Sequence, residues 1–379
     1  MTCLFNLQII NNTINNIIIS GGLMGKIIVD SIDKRMTAPL VEYLNNSGYE
    51  VYGITFKNSV IISNHLKAIF EISKKYIKED LIRVLSQFTR EDYLLLGNPL
   101  MIEAVNEIKP EIKYIIPDKE AVIKATDKKR LMDFASKLNL KVPEDNPKKY
   151  PLIVKLNVSE NVSLKAQQRY RIVRNEEEYK KAMAYFDEYK DNLIIQEYVE
   201  GKAFGVSMLL DDQSKLVDYI VHERILEYPI SGGPSALCVS RYKRELVEYA
   251  YKLLSALKWT GYAMVEFKGD YLLEINPRFW GSMPLLFAAG SDFFGNYIKI
   301  LDKTHRHIDI DLIPYKLNRK IYFFPQSFLA LASYIKKAEF FKALEILAHI
   351  ITAKEGIFHF KNPVPFLNYI RSLAKRNQS

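Results

Sequence analysis

The chain has 379 residues, 48% hydrophobic and 26% charged, with 16 Gly, 15 Pro and 2 Cys, which excludes a disordered tail protein or a mini-scaffold. At roughly 150 residues per domain this length allows two to three domains with ample core. The formal net charge of +9 sits mostly in residues 301–379, with 13 Lys plus Arg against 6 Asp plus Glu, so the nearly neutral main body is not expected to bind nucleic acid. The cysteines, Cys3 and Cys238, provide no disulfide framework, and a reducing cytoplasm is the expected compartment. The apolar runs Phe323 to Tyr334 and Phe340 to Thr352 are too short for the roughly 20 residues of a spanning helix.

Residues 1–23 are Asn- and Ile-rich without a signal-peptide pattern; they read as an appendage, with the native start expected at Met24. From Lys26, short apolar runs alternate with helical periodicity: KIIVDS at 26–31, a helix over 38–46 and EVYGITF at 50–56. YLLLG at 93–97, a helix over 98–108 and KYIIP at 113–117 follow. This pattern predicts an α/β head over 24–120 with a parallel sheet of about four strands. No G-x-G-x-x-G follows the first strand, which argues against a dinucleotide site. A helix over 127–138 leads into an α+β body over 121–300. Strands are expected at 151–156, 170–173, 192–199, 204–210 and 215–224, with helices over 175–189 and 243–257. The strand pair GYAMVEFK and YLLEIN joins at Gly269-Asp270. Beyond 300 the chain reads as helices with aromatic and basic faces.

The stretch VEFKGDYLLEINPRFWG at 265–281 concentrates the chemistry. In an extended strand Glu274 and Asn276 project to one face, and Arg278 joins them if Pro277 does not turn the chain. Glu266 shares that face only if the turn has odd length; a two-residue Gly-Asp turn puts it opposite. Converging carboxylates and an amide oxygen suit magnesium, and Arg278 can fork onto phosphoryl oxygens. Lys155, set in the apolar strand IVKL, must snorkel or meet an anion.

EINPRFWGS at 274–282 strongly resembles the magnesium strand of the ATP-grasp superfamily, and the likeness extends over roughly 26–300. The resemblance implies ATP with two magnesium ions, manganese being the alternative, and metal ligation by Glu266, Glu274 and Asn276. Arg278 would touch the transferring phosphoryl group, and Lys128 and Lys155 the ATP phosphates. QEYVEG at 196–201 is similar to the family's hinge, with Glu197, Tyr198 and Val199 framing adenine and Glu200 holding the ribose. HERILEYPISGGPSALCVS at 222–240 resembles a carboxylate-amine ligase or carbamoyl-phosphate-synthetase-like branch. There Ser231, Gly232, Gly233 and Ser235 would bind the carboxylate or its acyl phosphate beside Arg224, with His222 facing the same cleft.

Two departures stand out: the flap Asn157 to Arg169 has no glycine, and Ala203 stands where relatives are often acidic. The implied activity is ATP-dependent joining of a small carboxylate and an amine, an amino acid or peptide serving as one of them. A non-catalytic nucleotide-binding scaffold and a carbamoyl-phosphate-type or carboxylating enzyme are the alternatives. For the tail, the plain reading is helices packed on the body; the sharper one is a basic amphipathic surface touching anionic lipid or an acidic protein. A homodimer is compatible with either. His305 and His307, in THRHID, are expected to be solvated.

Overall fold

The computed structural model describes residues 25–158, 162, 164, 168–230 and 232–376, so the Met24 start and the 1–23 appendage lie outside the described residues. Strands β1 (Lys26–Val29), β2 (Glu50–Phe56), β3 (Ile69–Ile72) and β4 (Tyr93–Leu95) form a parallel sheet in the order β3-β2-β1-β4. Helix α1 (Thr37–Asn46) joins β1 to β2, α2 (Ile77–Leu85) joins β3 to β4, and α3 (Pro99–Ile108) follows β4. The fourth strand is Ile69–Ile72 and not the expected 113–117. Only Lys113 bridges to Tyr93. After it the backbone turns to side chains from the body: Tyr297 Oη accepts from Ile115 N at 3.2 Å, and Thr260 Oγ1 donates to Ile116 O at 2.6 Å.

Helices α4 (Lys119–Thr126) and α5 (Lys128–Lys137) meet at Asp127, whose carboxylate caps α5 by accepting from Arg130 N at 3.0 Å. A three-stranded antiparallel sheet follows, β5 (Leu152–Leu156), β6 (Tyr170–Val173) and β7 (Leu193–Glu197) in the order β6-β5-β7. It is backed by α6 (Glu176–Tyr185) through Leu152, Val154, Val173, Ala182 and Phe186. The helix expected over 175–189 ends at Tyr185, and a 3₁₀ turn covers Asp187–Asn192.

The third sheet has seven strands: β8 (Ala203–Leu210), β9 (Leu216–Glu227), β10 (Ser235–Arg241), β11 (Gly261–Lys268), β12 (Tyr271–Asn276), β13 (Lys320–Tyr322) and β14 (Lys354–Glu355). Their order is β12-β11-β8-β9-β10-β13-β14. One face packs on α7 (Arg244–Ala256), and α8 (Pro284–Ala288) and α9 (Phe293–Leu301) carry the chain back to the head. The C-terminal segment is helical, with α10 (Gln326–Lys336), α11 (Phe340–Ile351) and α12 (Val364–Arg376), but it also supplies β13 and β14 to the large sheet. It returns to the head, where His359 Nδ1 meets Glu42 at 2.8 Å and Tyr369 packs with Ala38 and Ile62.

Aromatic packing locks head to body. Tyr262 stacks on Phe279 at 5.5 Å and its hydroxyl donates to Leu96 O, just past β4 of the head. At Gly97, just past β4, a Cβ would come within 1.9 Å of Phe279, so only glycine lets the two units close. Gly97→Ala is expected to lower stability by about 1–3 kcal/mol through overpacking, read from the midpoint of urea unfolding. An unchanged midpoint would show that the units do not meet there.

Candidate active site

β11 and β12 are joined by the two-residue turn Gly269–Asp270, with Lys268 opposite Tyr271 and Phe267 opposite Leu272. That turn alone sends Glu266 away from Glu274. A β-bulge at Leu273 reverses the parity: beyond it Glu266 stands opposite Glu274, and Met264 opposite Asn276. Asn276 Nδ2 donates to Glu266 Oε1 and to Glu274 Oε1, each at 3.2 Å. The three hydrogen-bonded side chains thus form one cluster on the cleft wall, with Arg278 lining the same cleft.

The charges around this cluster set its protonation. Burial pushes Glu266 upward, Arg224 offsets only part of that, and facing Glu274 adds to it. Burial acts on Glu274 in the same sense, but Lys128, Lys155 and Arg278 outweigh it and hold Glu274 below the usual carboxylate range. Lys128, first residue of α5, places Nζ 3.8 Å from Glu274 and donates to Asn157 O at 3.2 Å. On β5, Leu152, Val154 and Leu156 face the core, so alternation turns Ile153 and Lys155 into the cleft. Burial, reinforced by Lys128 and opposed by Glu274, lowers Lys155 to about 8.

Arg224 on β9 pairs with Glu266 at 2.9 Å and Glu227 at 3.2 Å. Its Nε is buried without a partner among the described residues. The loop before β10 is fixed from across the cleft, because Tyr170 Oη donates to Gly232 O at 2.6 Å. Gly232 has φ +126°, and a Cβ there would meet that hydroxyl at 2.3 Å, so both backbone and space demand glycine. Gly233 and Ser235 line the cleft; Ser231 lies outside the described residues. His222 does not face the cleft as expected. It is 2% exposed, shares a 3.2 Å hydrogen bond with Ser282, and is lowered to about 3 by burial and then by Arg224. Ser282 roofs it, leaving a neutral imidazole in the wall.

The cleft, about 620 Å³, is lined by the small and large sheets and by the head loop after β1, and includes Glu197, Tyr198 and Val199 at the end of β7. Glu197 Oε2 accepts from Glu144 N at 3.1 Å, and Tyr198 N donates to Pro151 O at 3.1 Å. Glu200 is exposed and lines a shallower neighbouring pocket with Tyr150 and Arg174. Among the lining residues that sequence reasoning missed are three with polar side chains. Gln196 is buried with Oε1 unpartnered among the described residues, Lys268 lies 5.1 Å from the Tyr198 ring, and Arg35 reaches in from the head. Strand parity could have found Lys268, two positions from Glu266; Arg35 had no sequence signal.

No curated protein sequence matches the chain. Residues 125–282 match the family model described as the ATP-grasp domain. Among solved structures, N5-carboxyaminoimidazole synthetase from Staphylococcus aureus, complexed with ADP, is similar at TM-score 0.61 and 13% identity over 79% of this chain and 81% of that one. L-amino acid ligase from Bacillus licheniformis is similar at TM-score 0.56 and 14% identity, over 77% of this chain and 78% of that one. Rhizobium etli pyruvate carboxylase is similar at TM-score 0.58 and 18% identity over 79% of this chain, which spans only 30% of the carboxylase. At such identities the likeness establishes the fold.

Lys155 loses its charge as pH rises through about 8. Affinity of the protein for inorganic tripolyphosphate should therefore fall by up to about tenfold between about pH 7 and 9, relative to Lys155→Arg, whose guanidinium stays protonated. Parallel profiles for the two proteins in calorimetric titrations would place Lys155 out of reach of the anion.

Proposed function

Taking residues 125–282 as the ATP-grasp domain they match, we propose that the protein is an ATP-dependent ligase joining a small carboxylate to an amine through an acyl phosphate. The observation that carries this reading is the Glu266, Glu274 and Asn276 cluster facing Lys128 and Lys155 across one cleft. A half-turn of the Asn276 amide exchanges its nitrogen for its oxygen and converts the cluster into three hard oxygen donors. Two opposed carboxylates with only an amide between them fit magnesium, with manganese as substitute. When bound, the ions would neutralise phosphate oxygens and polarise the phosphoryl group under attack.

The chain's own residues then have separable tasks. Lys128 and Lys155 receive the phosphates, Arg278 neutralises the transferring phosphoryl group, and β7 with Glu197, Tyr198 and Val199 frames the base. Gln196 Oε1, buried without a donor, is placed to accept from an amino group of that base. Arg224, with Gly232, Gly233 and Ser235, holds the carboxylate. A carboxylate oxygen attacks the γ-phosphorus and ADP departs. The amine then attacks the acyl carbon, the carbon–oxygen bond to phosphate breaks, and the amine's proton passes to solvent.

The tail adds a partner. α11 buries Ala343, Ile346 and Ile350, yet its other side exposes Phe341 at 91%, Leu344 at 63% and Ile351 at 74%. Beside the polar stripe Lys342, Glu345 and His349 on the same helix, a bare apolar face of this kind is a contact surface. Lys336, Lys337 and Lys342 flank its start, and 13 basic against 6 acidic residues make the segment cationic. An anionic lipid surface fits both features. A second copy packed face to face would juxtapose like charges. Among the described residues no helix is long and apolar enough to cross a membrane, so contact is with the surface.

With ATP, magnesium and pooled amino acids, small acids and bicarbonate, substrate-dependent ADP and phosphate release is expected. Glu274→Gln should lose at least about a hundredfold in turnover with its melting curve retained. AMP release would overturn the acyl-phosphate route, bicarbonate dependence without an amine would identify a carboxylating enzyme, and absent turnover would leave a scaffold. In flotation assays, vesicles containing phosphatidylserine should retain the protein where phosphatidylcholine vesicles do not, and Phe341→Ser with Leu344→Ser should abolish retention. Equal retention on both lipids, or concentration-dependent dimerisation lost in that variant, would reject lipid as the occupant.

A further inference from the structure

The end of β8 farthest from the cleft carries a second cluster of ligating groups. Ala203, at the cleft end, pairs with cleft-lining Lys268, while Asp211 follows the last residue of the strand at the turn into β9. The Asp211 side chain is 3% exposed. Its Oδ1 accepts from Gln213 N at 2.9 Å and Lys215 N at 2.8 Å, which fixes the carboxylate plane. Oδ2 faces two imidazoles, His307 Nε2 at 2.7 Å and His305 Nε2 at 3.3 Å. The histidines stand two apart in the segment leaving α9, which is anchored by Ile308 N donating to Leu216 O at 3.1 Å. The expected solvation fails for His305, whose side chain is 17% exposed.

One ligand atom from each residue lies within 4.8 Å of the others. Tetrahedral coordination with bonds of about 2.0–2.1 Å places ligand atoms about 3.3 Å apart. The His305 distance already has that value, and half-exposed His307 can retreat by about half an ångström. We propose that Asp211, His305 and His307 bind a divalent transition ion of the zinc class, with solvent completing the shell. Two imidazoles and one carboxylate disfavour magnesium, which takes hard oxygen ligands, so this site and the cleft select different cations. The ion ties the strap after α9 to the β8–β9 turn. The start of that strap is also held to the head, because Asp302 accepts from Tyr93 Oη at 3.0 Å and Lys113 Nζ at 2.9 Å. Bound zinc therefore braces the seam between head and body.

The test uses the full chain stripped with EDTA and titrated with zinc against a competing chelator, with cobalt absorption as spectroscopic readout. One equivalent is expected to bind, at least tenfold more weakly in His305→Gln and in His307→Ala. Glu274→Gln should bind zinc as the wild type does, which separates this site from the cleft cation. Zinc should raise the melting temperature of the wild type and leave that of His307→Ala unmoved. Absence of binding, or equal affinity in a variant combining His305→Gln with His307→Ala and showing a native circular dichroism spectrum, overturns the assignment and leaves the cluster as hydrogen bonds alone.

Discussion

Two carboxylates facing each other across one strand pair impose order on everything around them. Like charges directly opposed in a sheet repel, and burial sharpens that repulsion because little water remains to screen it. The arrangement persists because cations converge from separate elements: Arg224 from β9, Arg278 beyond β12, Lys128 from the first turn of α5 and Lys155 from β5. Each sits on an element whose position is set by its own packing. The electrostatic balance of the cleft is therefore a product of tertiary structure, and no single segment could hold it.

The cleft depends equally on how its walls are joined. The small sheet contributes Lys155 and the Tyr170 hydroxyl, the latter reaching Gly232 on the opposite wall. The large sheet contributes the acids and Arg224, and the head contributes Arg35 and Met36. Tyr262, Phe279, Phe294 and Tyr297 form the aromatic block between head and large sheet. This block makes a rigid floor, and the Tyr170 bond links the two walls across the opening.

Much of the site was legible because strand parity is a local property: Glu274 and Asn276 were bound to share a face, and Lys155 was bound to oppose its apolar neighbours. Glu266 was not settled, since a two-residue turn predicted the wrong face and only the bulge at Leu273 corrects it. A bulge inserts one ordinary residue and leaves no mark in composition. His222 was misplaced for a related reason. It shares a face with Arg224, but Ser282, sixty residues on in sequence, covers it. The head's fourth strand escaped notice because Ile69–Ile72 is a four-residue edge with a half-exposed pattern, while KYIIP looked more apolar than its irregular path required. Fold class needs only periodicity; side-chain access needs the partners that periodicity does not name.

Arg35 connects the tail to this chemistry. Its guanidinium lies 3.8 Å from the Phe323 ring centroid, and NH1 donates to Gln326 at 3.1 Å and to Tyr369 at 3.3 Å. Phe323 follows β13, Gln326 opens α10 and Tyr369 lies on α12, so three tail elements hold one head residue in the cleft. α10 packs directly against α11, whose outer face is bare, with Ala330 and Ile346 sharing one core cluster. α11 thus braces the helix that orients Arg35. A guanidinium held by stacking and forked hydrogen bonds cannot shift without disturbing its partners, so the tail fixes the charge at the head side of the cleft.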